Sequence, residues 1–102
     1  MLKDLEYKYE EGEFDIADIT VYALSTCGFC RSALAFLREN KIKFKYIYVD
    51  LQNPDIRNGI KQDLRDKFDE RIGFPFVVIN GKETLVGFRE DTWKEKFLIK
   101  NK

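Results

Sequence analysis

The segment Ile19-Thr20-Val21-Tyr22-Ala23-Leu24-Ser25-Thr26-Cys27-Gly28-Phe29-Cys30 changes its pattern halfway along. Ile19 to Leu24 are apolar or β-favouring on both faces, as a strand buried on both sides requires. Ser25-Thr26 interrupts the run. From Cys27 to Asn40, Cys30, Ala33, Leu34 and Leu37 then recur at three and four, while Arg31, Arg38 and Glu39 face away. That spacing predicts an amphipathic helix, with a hydroxyl side chain just ahead of Cys27 as its N-cap.

Downstream, Ile42, Phe44, Tyr46 and Tyr48 alternate with Lys43, Lys45, Ile47 and Val49, a period of two. Lysines along such a strand suit a sheet edge that refuses further pairing. Asn53-Pro54 breaks the chain, and Ile56, Ile60, Leu64 and Phe68 predict a second helix over Asp55–Glu70. Phe76–Ile79 reads as a short buried strand. Asn80-Gly81 is a hairpin signal, and Lys82–Val86 returns antiparallel. After Gly87-Phe88, Glu90 and Asp91 open a last helix and Lys94, Lys96 and Lys100 lie towards its end, matching the helix dipole. Trp93 and Phe97 form its apolar face. The order is β-α-β-α-β-β-α, an α/β arrangement with a crossover parallel pair first and a hairpin last.

A chain of 102 residues, 44% hydrophobic, builds one core. Its 18 basic and 18 acidic side chains balance, which argues against a nucleic-acid binder. No apolar stretch approaches the ~18 residues of a membrane span. Met1 to Glu6 lacks the apolar centre of a secretory signal, so the expected location is cytoplasmic and the expected state a monomer. The absence of His removes the usual general base and the usual zinc ligand. Residues 1–18 hold seven acids against Lys3 and Lys8, a net charge of −5. They predict a solvated acidic extension over residues 1–17, ahead of a domain over 18–102. The alternative is that Leu2, Leu5, Tyr7, Tyr9 and Phe14 pack this extension down.

Only two cysteines exist, Cys27 and Cys30, and about 2% of random placements would give this C-x-x-C spacing. At the N-terminus of the predicted helix, the free N–H groups favour a thiolate at Cys27. Cys30, one turn in, faces the core and holds its proton more tightly. Such asymmetry supplies the attacking and the resolving thiol that disulfide exchange requires. Gly28 is expected to let the turn tighten between them. A metal or iron–sulfur cluster held by the same cysteines in a dimer is the alternative from another class, because one chain offers only two thiols and no imidazole. Phe74-Pro75 opens a buried strand with a residue that cannot donate to the ladder, where a cis bond is accessible. A cis-proline loop there turns the Phe74 backbone outward, to pair with a partner's extended segment.

In these stretches, and in Gly73-Phe74-Pro75-Phe76-Val77-Val78-Ile79-Asn80-Gly81 and Val86-Gly87-Phe88, the sequence resembles glutaredoxins over about residues 18–100. The resemblance implies a thioredoxin-like fold, with a four-stranded mixed sheet and helices on both faces. It implies a thiol–disulfide oxidoreductase with Cys27 as nucleophile, Cys30 as resolving thiol and Pro75 as the cis-proline. Phe74, Pro75, Gly87, Phe88, Glu90 and Asp91 become the substrate-binding residues, with Glu90 and Asp91 placed to meet the amino group of glutathione. No bound cofactor is implied, and glutathione is one candidate reductant. Glutathione-using members carry a basic residue ahead of the first cysteine, where this chain has Ser25-Thr26. The run Gly87-Phe88-Arg89 is similar to the NrdH-type redoxins. Those take electrons from a thioredoxin reductase and pass them to a disulfide-bearing protein, ribonucleotide reductase.

Overall fold

The structure, a computed structural model, describes residues 5–98. In chain order these form β1 (Lys8–Glu10), β2 (Ile19–Ala23), α1 (Gly28–Glu39) and β3 (Phe44–Tyr48). A 3-10 turn (Val49–Leu51), α2 (Pro54–Phe68), β4 (Phe76–Ile79), β5 (Glu83–Val86) and α3 (Glu90–Phe97) follow. Leu2 and Lys100, both given roles above, lie outside the described residues.

All five residues of β2 are buried, and the strand occupies the middle of the sheet. It runs parallel to β3, with Val21 opposite Tyr46, and antiparallel to β4, with Val21 opposite Val77. Because side chains alternate across a strand, β2 feeds two cores. Ile19, Val21 and Ala23 pack with Ala33, Leu34 and Leu37 of α1 and with Trp93 and Phe97 of α3. Tyr22 faces the opposite side, where Ile60 and Leu64 of α2 cover it. Each fully buried Leu or Ile in these layers contributes about 1.5–3 kcal/mol. The two-sided burial read from Ile19–Leu24 follows from this sandwiching of one strand between helices.

Local signals fix the ends of the elements. Asn53 caps α2 by accepting the Ile56 N–H at 2.9 Å on its side-chain oxygen, and Pro54 takes the first helical position, where no N–H is needed. The Asn80-Gly81 turn joins β4 to β5, and Asn80 bonds the backbone of Asp18 twice, at 2.8 and 2.9 Å. The hairpin is thereby pinned to the start of β2.

The sheet has five strands, in the order β1-β3-β2-β4-β5, where four were expected. The extra strand comes from the acidic segment. β1 pairs antiparallel with β3, placing Tyr9 opposite Lys45, so β3 is covered and is not the edge that its lysines suggested. Main-chain pairing docks the segment, and exposed ion pairs line it. Glu10 pairs with Arg38, Glu13 with Lys41 at 3.5 Å and Asp15 with Lys43 at 4.0 Å. On the α2 side of the sheet the Tyr7 hydroxyl meets the Tyr22 hydroxyl at 2.8 Å, and Leu5 and Tyr7 pack on that core. Burial pushes the Tyr22 phenol well above the usual tyrosine value, with the Tyr7 hydrogen bond adding to the rise. Among the described residues no helix is long and apolar enough to cross a membrane.

Candidate active site

The two cysteines lie where β2 hands over to α1. Cys27 has extended backbone angles and is itself the N-cap, so the hydroxyl cap expected ahead of it is not the one used. Its Sγ accepts the main-chain N–H of Cys30 at 3.2 Å. The sulfur thus does what a capping oxygen does elsewhere, and a first-turn donor points at the atom that would carry negative charge. Cys27 is half-buried, Cys30 is wholly buried, and both are free thiols.

Around Cys30 the structure supplies one donor and much apolar surface. The Leu24 N–H donates to Cys30 Sγ at 3.4 Å, and the sulfur belongs to the core formed with Leu34 and Trp93. Burial, followed by the hydrogen bond shared with Cys27, pushes the Cys30 thiol up to about 12. Gly28 contributes less than expected. A Cβ added there would meet nothing within 4 Å, so the turn does not demand glycine.

At the start of β4, at the end of the sheet where β2 leads into the thiols, the Phe74–Pro75 bond is cis. Pro75 is buried and Phe74 half-buried, with Phe74 packed against both cores. Gly87, in the left-handed region at φ 84, donates its N–H to the Pro75 carbonyl at 2.8 Å. The proline loop and the segment leading into α3 are therefore one unit. Phe88 has a structural task, since its ring lies 5.0 Å from Trp93 and 5.9 Å from Phe36. Glu90 and Asp91 open α3 in solvent, and Glu90 pairs with Lys94 at 3.0 Å. The parallel run of β2 and β3 and the reversal at β4 bring the starts of α1, β4 and α3 to one end of the sheet. Phe29, 67% exposed, projects between the two cysteines, and Leu51 and Val86 are exposed at the same end.

Sequence reasoning missed Asp50. The carboxylate accepts the Ser25 N–H at 2.8 Å and the Ser25 hydroxyl at 2.5 Å. Desolvation acts against its ionised form, but the two Ser25 bonds and the charge of Arg57 outweigh it, holding the carboxyl below its usual range. Its one sequence signal is an acid just past the strand parallel to the cysteine strand. Among the described residues no cluster of three or more His, Cys, Asp or Glu could hold a metal ion.

Known proteins fit this geometry. No curated protein matches the chain in sequence. Among solved structures, methanoredoxin from Methanosarcina acetivorans superposes with a TM-score of 0.80 at 26% identity, covering 90% of this chain and 96% of that one. A glutaredoxin from Methanosarcina mazei Go1 gives 0.75 at 27% identity, over 90% and 87%. One from Archaeoglobus fulgidus gives 0.67 at 28% identity, over 78% and 85%. The family model described as Glutaredoxin matches residues 19–84, from the first residue of β2 into β5 and through both cysteines and the cis-proline. By that match, which spans more than half of the chain, the chain belongs to the glutaredoxin family.

Proposed function

We propose that the protein is a dithiol electron carrier that reduces disulfides in other proteins. The observation that carries this reading is the division between its thiols: Cys27 reaches the surface, while Cys30 is buried directly beneath it. Cys27 Sγ loses its proton to solvent and attacks one sulfur of the substrate disulfide, forming a mixed disulfide and expelling the other substrate sulfur as a thiolate, which takes a proton back from solvent. Cys30 then attacks Cys27 Sγ. The Cys27–Cys30 bond forms, the bond to substrate breaks, and the Cys30 proton balances the departing substrate thiolate through solvent. Two electrons have moved from the protein to the substrate. The cis-proline loop presents the Phe74 backbone to the substrate's extended segment, and the exposed Phe29 ring gives its apolar side chains a surface.

The dithiol is restored, on this reading, by a thioredoxin reductase-like enzyme. Ser25 and Thr26 offer no cation to the carboxylates of glutathione, and Glu90 is engaged by Lys94. A metal or cluster shared between two copies would require Cys30 to leave the core, which favours the dithiol chemistry. The test is NADPH oxidation with a protein disulfide as acceptor, coupled in turn to a thioredoxin reductase and to glutathione with its reductase. Turnover with the first alone supports the reading. Turnover only with glutathione reassigns the donor, and turnover with neither removes the proposed activity.

A further inference from the structure

We infer that Asp50 is a positioning residue for the resolving step, acting on Cys30 through Ser25 and Leu24. This inference rests on the dithiol chemistry proposed above. The loop from Leu24 to Cys27 holds two of the backbone bonds that place the thiol pair. Leu24 donates its N–H to Cys30 Sγ, and its carbonyl accepts the Cys27 N–H at 3.3 Å. The loop is short and half-buried, and its next residue, Ser25, is held at both its backbone N–H and its hydroxyl by the Asp50 carboxylate. Asp50 itself stands on the 3-10 turn that ends β3, the strand paired with β2. A bidentate clasp between the two parallel strands therefore fixes the direction of the Leu24 N–H.

The clasp also carries a charge. Titratable groups facing Cys30 are Cys27 at the cap of α1 and Asp50 beyond β3, and both add to the rise that burial begins. Arg57 on α2 faces Asp50. The residues of β2 and α3 packed on Cys30 are apolar or aromatic and bring no further charge. An ionised carboxylate within electrostatic reach of the buried thiol adds to the burial that disfavours a second thiolate in the reduced pair. Resolution is then confined to the state in which Cys27 already carries the substrate. In that step Cys30 loses its proton, the Cys30–Cys27 bond forms, and the Cys27–substrate bond breaks to release the substrate thiolate.

The experiment uses 5,5′-dithiobis(2-nitrobenzoate) on the freshly reduced full chain and follows the release of coloured thiolate in time. A first phase reports attack by Cys27 and a second reports resolution by Cys30. Asp50→Asn removes the charge but keeps the clasp, since its amide oxygen accepts the Ser25 N–H and its amide N–H donates to the Ser25 hydroxyl in place of accepting from it. The pH midpoint of its second phase should fall, raising the neutral-pH resolution rate about threefold. Ser25→Ala keeps the charge but removes the hydroxyl bond, and its second phase should slow roughly tenfold with the midpoint unmoved. First phases should stay near wild type in both. Second phases unchanged in rate and pH profile, or both phases slowed equally, would overturn the role of Asp50. If the wild type itself shows no second phase, the dithiol reading fails first.

Discussion

The main-chain N–H of Gly87 donates to the carbonyl of Pro75 at 2.8 Å, so the cis-proline strand opening and the entry to α3 move as one piece. No side chain at position 87 is needed for that bond, and a Cβ there would sit in open space. What the position requires is a backbone at φ 84, which L side chains resist.

Gly87→Ala is accordingly expected to cost about 1–2 kcal/mol through the backbone alone. The accompanying shift of the Pro75 loop should lower kcat/KM for a protein disulfide more than it lowers the rate of attack on a small aromatic disulfide. Chemical denaturation and the two rate measurements on one preparation check this. Equal loss on both substrates would show that the loop does not seat the substrate chain.

The thiol pair gives a simpler expectation. Cys30 is buried and its proton is held up to about 12, so iodoacetamide near pH ~8 should label Cys27 alone in the native protein. Cys30→Ser should then accumulate a mixed disulfide with a protein substrate, read as an added mass. Cys27→Ser should form none. Double labelling of the native wild type would mean that Cys30 is reached from solvent and that the two roles are not divided.

The placement of the thiol pair and of the cis-proline was legible because its signals are local. A C-x-x-C at a strand–helix junction and a proline opening a buried strand are set by neighbours within a few residues. The extra strand was not legible. Lys8, Tyr9 and Glu10 are too short for a period, Tyr9 is 65% exposed, and what holds them is main-chain pairing with β3 plus charges distant in sequence. For the same reason the lysines of β3 read as an edge guard, although Lys43 pairs with Asp15 and Lys45 lies over the Tyr7 ring. Asp50 escaped notice because its partner, Ser25, is found only after the parallel strands are placed side by side.

The docked extension makes Gly12 more sensitive than the charges around it. A Cβ added at Gly12 would lie 2.5 Å from the Lys41 carbonyl oxygen and 2.6 Å from the Ile42 carbonyl carbon, backbone atoms that cannot swing away. Gly12→Ala should cost about 1–3 kcal/mol, as an overpacked contact does. Glu13→Gln, which breaks an exposed pair at 3.5 Å, should cost under about 1 kcal/mol and only at low salt. Urea melts at two ionic strengths separate them. If the charge change proved the larger loss, docking would be electrostatic and not steric.

Phe29 supplies a test of the substrate surface that leaves the fold alone. At 67% exposure its ring contributes little to folding, so Phe29→Ser should keep the melting temperature within about 2 °C. An aromatic ring beside the nucleophile should matter when a protein covers the site, and KM for a protein disulfide should rise roughly fivefold, about 1 kcal/mol of lost contact. Attack on a small disulfide should be unaffected. A KM that does not move would place the substrate's approach elsewhere on this end of the sheet.

Asp50 also links stability to pH. Its carboxyl is held below the usual range in the folded chain, since the Ser25 hydroxyl and N–H and the Arg57 charge prevail over desolvation. A group whose value falls on folding contributes stability above its unfolded value near ~3.9, and that contribution is lost as pH falls through the folded value. Asp50→Asn should therefore be less stable than wild type at neutral pH by about 1 kcal/mol, a charge-assisted bond discounted for partial exposure. The gap should close below the ordinary carboxylate range, where wild-type Asp50 takes up its proton. Denaturant midpoints at neutral and acid pH decide it. A gap that persists unchanged in acid would mean that Asn disturbs the loop itself, with the lost charge playing no part.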